Sequence, residues 1–206
     1  DDTDAKITIS NNTSTIAATK LSLVTGSTTG SVILSNAHTI TGDGAQLTAA
    51  LVTDKVTAKT GSTANVSGAV NVSIASGIAT AANVTASFGG GISDAIANLA
   101  SSGTATTELT NASEDADVVI TIKDNSTTMQ AADLYAITQS TSGAVNITNA
   151  QKISGTGAAV INALIDDAVT LGANSTASVT GTVSVSAASA IAQVSKIKAS
   201  FTGGIS

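Results

Sequence analysis

Few residues in this sequence could move a proton, hold a metal or attack a carbonyl. His38 is the single imidazole, and there is no Cys and no Arg. The absence of Cys excludes thiol catalysis, Cys–zinc sites, iron–sulfur clusters and disulfide frameworks. Ser is abundant, but a nucleophilic Ser needs an adjacent base, and no G-x-S-x-G elbow occurs. When the two ends of the chain are aligned, His38 falls opposite Gln151, so the second copy does without an imidazole. An exposed or hydrogen-bonded turn residue is expected there. The run Phe88-Gly89-Gly90-Gly91-Ile92-Ser93-Asp94 could offer backbone N–H groups to an anion. It lacks a phosphate-loop Lys, and its second copy reads Phe201-Thr202-Gly203-Gly204. A tight turn with positive φ, followed by a Ser93 helix cap, accounts for it better.

The acidic residues are the stronger candidates. Asp1-Asp2-Thr3-Asp4 aligns with Glu114-Asp115-Ala116-Asp117, Asp54 with Asp167, and Asn11-Asn12 with Asp124-Asn125. Ca²⁺ takes six to eight oxygens from carboxylates and carbonyls. Asp1, Asp2, Asp4, Glu114, Asp115 and Asp117 are therefore the candidate Ca²⁺ ligands, and no other cofactor is expected. No EF-hand loop or G-G-x-G-x-D nonapeptide accompanies them. The competing reading is a solvated linker that keeps an acidic protein soluble. Sequons such as Asn65-Val66-Ser67 and Asn146-Ile147-Thr148 are frequent; strands with one polar face produce the same pattern without glycosylation. Thr39-Ile40-Thr41 raises an ice-binding face, but it becomes Lys152-Ile153-Ser154 in the second copy, so no regular Thr ladder is expected.

The frame that carries these residues is unusual. The chain has 206 residues, a net charge of −6, 42% hydrophobic and 11% charged residues, and 1% aromatics. Ordinary globular chains carry about 25% charged residues. Nucleic acid is excluded as a partner because it requires a basic face. Carbohydrate-active enzymes need clustered carboxylates with aromatic or Arg contacts, and the one Tyr and the missing Arg argue against them. No apolar run approaches the length of a membrane span, and no basic stretch precedes an apolar run as in a leader peptide. Low charge with abundant Val, Ile and Thr predicts ordered, β-rich structure rather than disorder.

An internal repeat organises the chain. An offset of 113 residues aligns its two ends without a gap, and about 44 of 93 aligned positions are identical. The repeats are 1–113 and 114–206, the second ending at the point that matches residue 93. Inside each repeat, alternating apolar runs predict strands at 6–10, 31–35, 55–59, 69–73, 83–88, 118–123, 143–148, 168–171, 182–186 and 196–201. Apolar residues at helical spacing predict short helices at 45–52, 94–100, 129–137 and 158–165. The sub-period of roughly 23–30 residues matches one coil of a leucine-rich-repeat-like solenoid. In that setting Asn36 and Asn149 would bond backbone groups at the turn that leaves a strand. The fold class expected is a β-rich repeat protein, a solenoid of short parallel strands with short helical or turn segments. Tandem β-sandwich domains are the alternative. The expected core is Ile7, Ile9, Leu21, Val32, Leu34, Leu51, Val70, Val72 and Phe88, with counterparts Ile120, Ile122, Leu134, Val145, Ile147, Leu164, Val183, Val185 and Phe201.

Two phrases add a family resemblance. One is Val84-Thr85-Ala86-Ser87-Phe88 followed by Ile92-Ser93-Asp94-Ala95-Ile96-Ala97-Asn98-Leu99-Ala100. The other is Val119-Ile120-Thr121-Ile122-Lys123-Asp124 followed by Ala131-Ala132-Asp133-Leu134. Both resemble phrases that recur in giant Ser/Thr/Ala-rich tandem-repeat surface and exoprotein arrays of cyanobacteria and marine bacteria. The resemblance implies a secreted, adhesin-like, array-forming cell-surface protein. The first repeat departs from the pattern, with Lys20 where Asp133 stands in the second. The expected function is a non-enzymatic, extracellular structural protein whose coils stack into a fibre, sheath, surface layer or adhesin stalk. Its partners would be copies of itself and a cell surface or matrix. The alternative is a calcium- or glycan-binding adhesin module.

Overall fold

A computed structural model describes residues 3–12, 14–54, 56–125, 128–165 and 169–206. The protein is β-rich, with several sheets of parallel strands and short helices. It packs as two compact units, Asp1–Ile92 and Ser93–Ser206. Residues 94–113 therefore pack within the second unit.

The first unit contains β1 (Ile7–Ile9), β2 (Thr15–Ala17), α1 (Ala18–Thr25), β3 (Val32–Leu34), β4 (Thr39–Asp43), α2 (Gly44–Leu47), β5 (Val56–Thr57), β6 (Ser62–Ser67), α3 (Val72–Ala79) and β7 (Val84–Phe88). After α2 the helix widens to π geometry over Thr48–Thr53. The strands form two parallel sheets, ordered β1-β3-β5 and β2-β4-β6-β7. Their registers, such as Ile7↔Val32, Val32↔Val56, Thr15↔Thr39 and Ser62↔Val84, return the chain to the same lateral position every 22 to 25 residues. A parallel pair cannot be closed by a tight hairpin, so each return needs a crossover of a dozen or more residues. Residues 35–56 supply one such crossover between β3 and β5.

The strand β8 (Ile92–Asp94) ends in the second unit, which continues with α4 (Ile96–Leu99), β9 (Ala100–Ser101), β10 (Thr104–Ala105) and α5 (Thr107–Ala112). Then follow β11 (Ile120–Ile122), β12 (Thr128–Gln130), α6 (Ala131–Thr138), β13 (Val145–Ile147), β14 (Lys152–Thr156), α7 (Gly157–Leu164), β15 (Val169–Thr170), β16 (Ser175–Thr180), α8 (Val185–Ala192) and β17 (Ile197–Phe201). From β11 onward every strand matches a strand of the first unit shifted by 113 residues, end for end. The parallel sheets are ordered β8-β11-β13-β15 and β12-β14-β16-β17, while β9 and β10 pair antiparallel. A β-sandwich would instead be built from antiparallel sheets throughout.

Small side chains set the width of the interior. Ala18, Ala64, Ala75, Ala131 and Ala177 are buried beside Leu21, Val32, Ile40, Val145 and Ile153. Glycine permits the closest approach of the backbone. A Cβ on Gly90 would lie 2.1 Å from the Gly68 carbonyl carbon, and one on Gly203 would lie 2.2 Å from that of Gly181. Side chains tie each step to the one before it. Asn36 Nδ2 donates to the carbonyls of Ser10 and Asn11, and Asn149 Nδ2 to those of Lys123 and Asp124. These asparagines do bond backbone at a turn, but the backbone belongs to the preceding step.

Several local expectations change. Segments 69–73 and 182–186 are not strands. Val70 and Val183 form single parallel bridges to Ile92 and Ile205, and helices α3 and α8 begin two residues later. The side chains of Asn71 and Ser184 cap those helices by accepting from the Ile74 and Ala187 N–H groups. Ser93 lies buried in β8 and caps no helix, because Ala95 occupies the N-cap of α4. Within the expected core, Ile7 and Ile9 are only half-buried on the edge strand β1, and Phe201 is half-buried on the edge strand β17. Val185 opens α8 and is 66% exposed, since nothing described lies over that turn.

Candidate functional site

The acidic residues divide by what their oxygens do. Asp1 and Asp2 lie outside the described residues, as does Asp167. Asp4, Glu114 and Asp117 are exposed and Asp115 is half-buried. Among the described residues, no three His, Asp or Glu side chains converge on a common point. The backbone beside them is already engaged. Thr28 Oγ1 donates to the Thr3 and Ala5 carbonyls, and Thr141 Oγ1 to those of Ala116 and Val118. Gly30 and Gly143 sit so close that a Cβ on either would lie 2.3 Å from the carbonyl oxygen of Asp4 or Asp117.

Other carboxylates bind backbone N–H groups or hydroxyls. Asp43 forms a capping box with Gln46, and Asp54 Oδ2 accepts from Thr25 Oγ1 at 2.7 Å. Asp94 Oδ1 accepts from the Ala95 N–H and from Asn98 Nδ2. Asp124 Oδ2 accepts from the Ile96 N–H at 2.7 Å, and Asp133 Oδ1 from the Gly103 N–H at 2.6 Å. Sequence reasoning gave Asp124 and Asp133 no such role. Their usable signal was the stretch 94–113, which has no counterpart for them to hold in the first repeat.

His38 is buried rather than exposed, and its N–H donates to Ser62 Oγ. Gln151 is equally buried, donates its N–H to Ser175 Oγ, and donates its side-chain amide to the Asp124 carbonyl. An imidazole and an amide thus fill equivalent places, which marks the position as structural.

The outer column of the first unit's longer sheet is more regular than its sequence implied. Thr15, Thr39, Thr63 and Thr85 stand in register, and Thr63 Oγ1 donates to Thr39 Oγ1 at 3.1 Å. The next outward column reads Ala17, Thr41, Asn65 and Ser87. In the second unit the first column becomes Thr128, Lys152, Thr176 and Lys198. A Thr ladder therefore exists in the first unit and is interrupted by Lys in the second.

The clearest open feature is the first edge of the first unit. A groove of about 270 Å³ runs beside β1, β2 and α1, lined by Ile9, Ile16, Leu21 and Val24 with Lys20 among them. On the next turn of α1, Leu23 is 76% exposed. No described helix is long and apolar enough to cross a membrane. Comparison with known family models, curated proteins and solved structures found no match.

Proposed function

We propose that this chain is a structural, extracellular repeat protein, built as a solenoid and assembled into a fibre, sheath, surface layer or adhesin stalk. The observation that carries the reading is the in-register parallel ladder. Each step repeats the last after 22 to 25 residues, and Asn36 and Asn149 bond it to the backbone of its predecessor. Such a ladder is extensible, because each step presents the next with the backbone donors and acceptors that it used itself. The 113-residue recurrence of strand boundaries supports a tandem array in which one repeat continues the ladder of another. Interior Ala, Val and Ile keep each coil thin, which accounts for the near absence of aromatic residues.

Electron microscopy and fibre diffraction of concentrated protein test the proposal. Filaments or sheets are expected, with an axial reflection near about 4.8 Å from strands stacked along the axis. Monodisperse particles at high concentration, without that reflection, would overturn it.

A further inference from the structure

The same face occurs twice in this molecule, once covered and once open. In the second unit, the face made by β11, β12 and α6 is covered by residues 93–105. The end of β8 lies beside β11, with the Lys123 N–H donating to the Asp94 carbonyl at 3.0 Å. Asp124 holds the start of α4 through the Ile96 N–H, and Asp133 holds the β9–β10 turn through the Gly103 N–H. Both hairpin strands and α4 pack on α6. Under this cover Ile120, Ile122, Leu134 and Ile137 are fully buried, as are Leu99 and Leu109 of the covering segment. In the first unit the same face is β1, β2 and α1. There Ile7, Ile9 and Val24 are only half-buried, and the groove beside them is open.

We infer that the β1/β2/α1 face is a docking site for a segment of the residue 93–105 kind, a strand end, a helical turn and a β-hairpin, supplied by a further repeat. The inference rests on the array reading for the source of that segment. The contacts transfer residue by residue with one change. The Ser10 N–H takes the place of the Lys123 N–H on the strand edge. Asn11 replaces Asp124 and keeps a side-chain oxygen that can accept from the helical turn. Lys20 replaces Asp133 and has only donors, so it cannot receive a Gly103-type N–H. The segment that fits this face presents a carbonyl or carboxylate opposite Lys20. The charge change therefore makes the first face select a different partner from the second.

The test adds a second copy of residues 93–113 directly before Asp1 of the full chain, the order in which Ser113 precedes Glu114. Amide hydrogen exchange is read at Ser10 and along α1. Docking predicts at least about tenfold slower exchange at Ser10, with α1 protected in parallel. Lys20→Asp in the extended chain restores the acceptor for the turn and slows exchange further. The change equivalent to Leu99→Asp in the added copy removes the protection while leaving the rest of the chain unchanged. Unaltered exchange at Ser10 and α1 in the extended chain would overturn the inference, and filaments of the unextended chain would still support the array. Protection without filaments would do the reverse.

Discussion

Ile9 and Ile122 occupy the same place in two copies of one strand, yet Ile122 is fully buried and Ile9 is not. The strand sequences Ile7-Thr8-Ile9 and Ile120-Thr121-Ile122 are identical. The difference lies in what reaches them. Residues 93–105 close the second face, and no described residue closes the first in the same way. Local sequence sets a strand's pleat and the side that is apolar. Burial is decided by a segment more than twenty residues away in the chain.

The largest expected effect breaks this comparison directly. Ile122→Ala removes a fully enclosed side chain and should cost about 2–5 kcal/mol, while Ile9→Ala should cost about half as much or less. Native-state hydrogen exchange resolves both changes in the intact chain. Equal losses at the two sites would mean that the first face is as enclosed as the second.

A smaller effect tests the polar half of the cover. Asp133→Ala removes the acceptor of the Gly103 N–H and should destabilise the hairpin on α6 by about 1 kcal/mol. Lys20→Ala, at the equivalent exposed position, should change stability by no more than about 0.5 kcal/mol. Tyr135 sits on α6, and its fluorescence follows the second unit through the transition. A Lys20→Ala loss as large as that of Asp133→Ala would show that Lys20 already holds a structural contact.

These contrasts explain how much of the protein could be read from sequence. The strands of the first sheet were legible, because Val32-Ile33-Leu34 and Val145-Asn146-Ile147 alternate cleanly between Gly and Asn turns. Helix α7 was legible from its apolar spacing. The second sheet was missed. Its inward positions at Ser62, Ala64 and Val66 are small and partly polar, so the alternation in size and hydropathy is faint. The starts of α3 and α8 were read as strands because Val70 and Val72 do alternate, and the caps at Asn71 and Ser184 redirect the chain. The open face was illegible, since Ile7 and Ile120 carry the same pattern. The acidic pairs looked like metal ligands because sequence shows carboxylates without showing which oxygens are already bonded.

That last point sets the smallest expected effect. A Ca²⁺ ion at the Asp4 or Asp117 end would draw on neighbouring carbonyls to complete six to eight oxygens. The carbonyls of Thr3, Ala5, Ala116 and Val118 already accept from Thr28 and Thr141 hydroxyls, and Gly30 and Gly143 fill the space beside them. Binding would have to break those bonds, which join one step to the next. Millimolar Ca²⁺ should therefore shift the melting temperature by less than about 1 °C, since stabilisation follows only from affinity for the folded state. A rise of several degrees, reversed by EDTA and lost in Asp117→Asn, would instead make the acidic end a calcium module. It would also require the Thr141 hydroxyl to release its carbonyls, so the same titration should then speed amide exchange in the turn at Gly143, whose N–H donates to Thr141 Oγ1 at 2.8 Å.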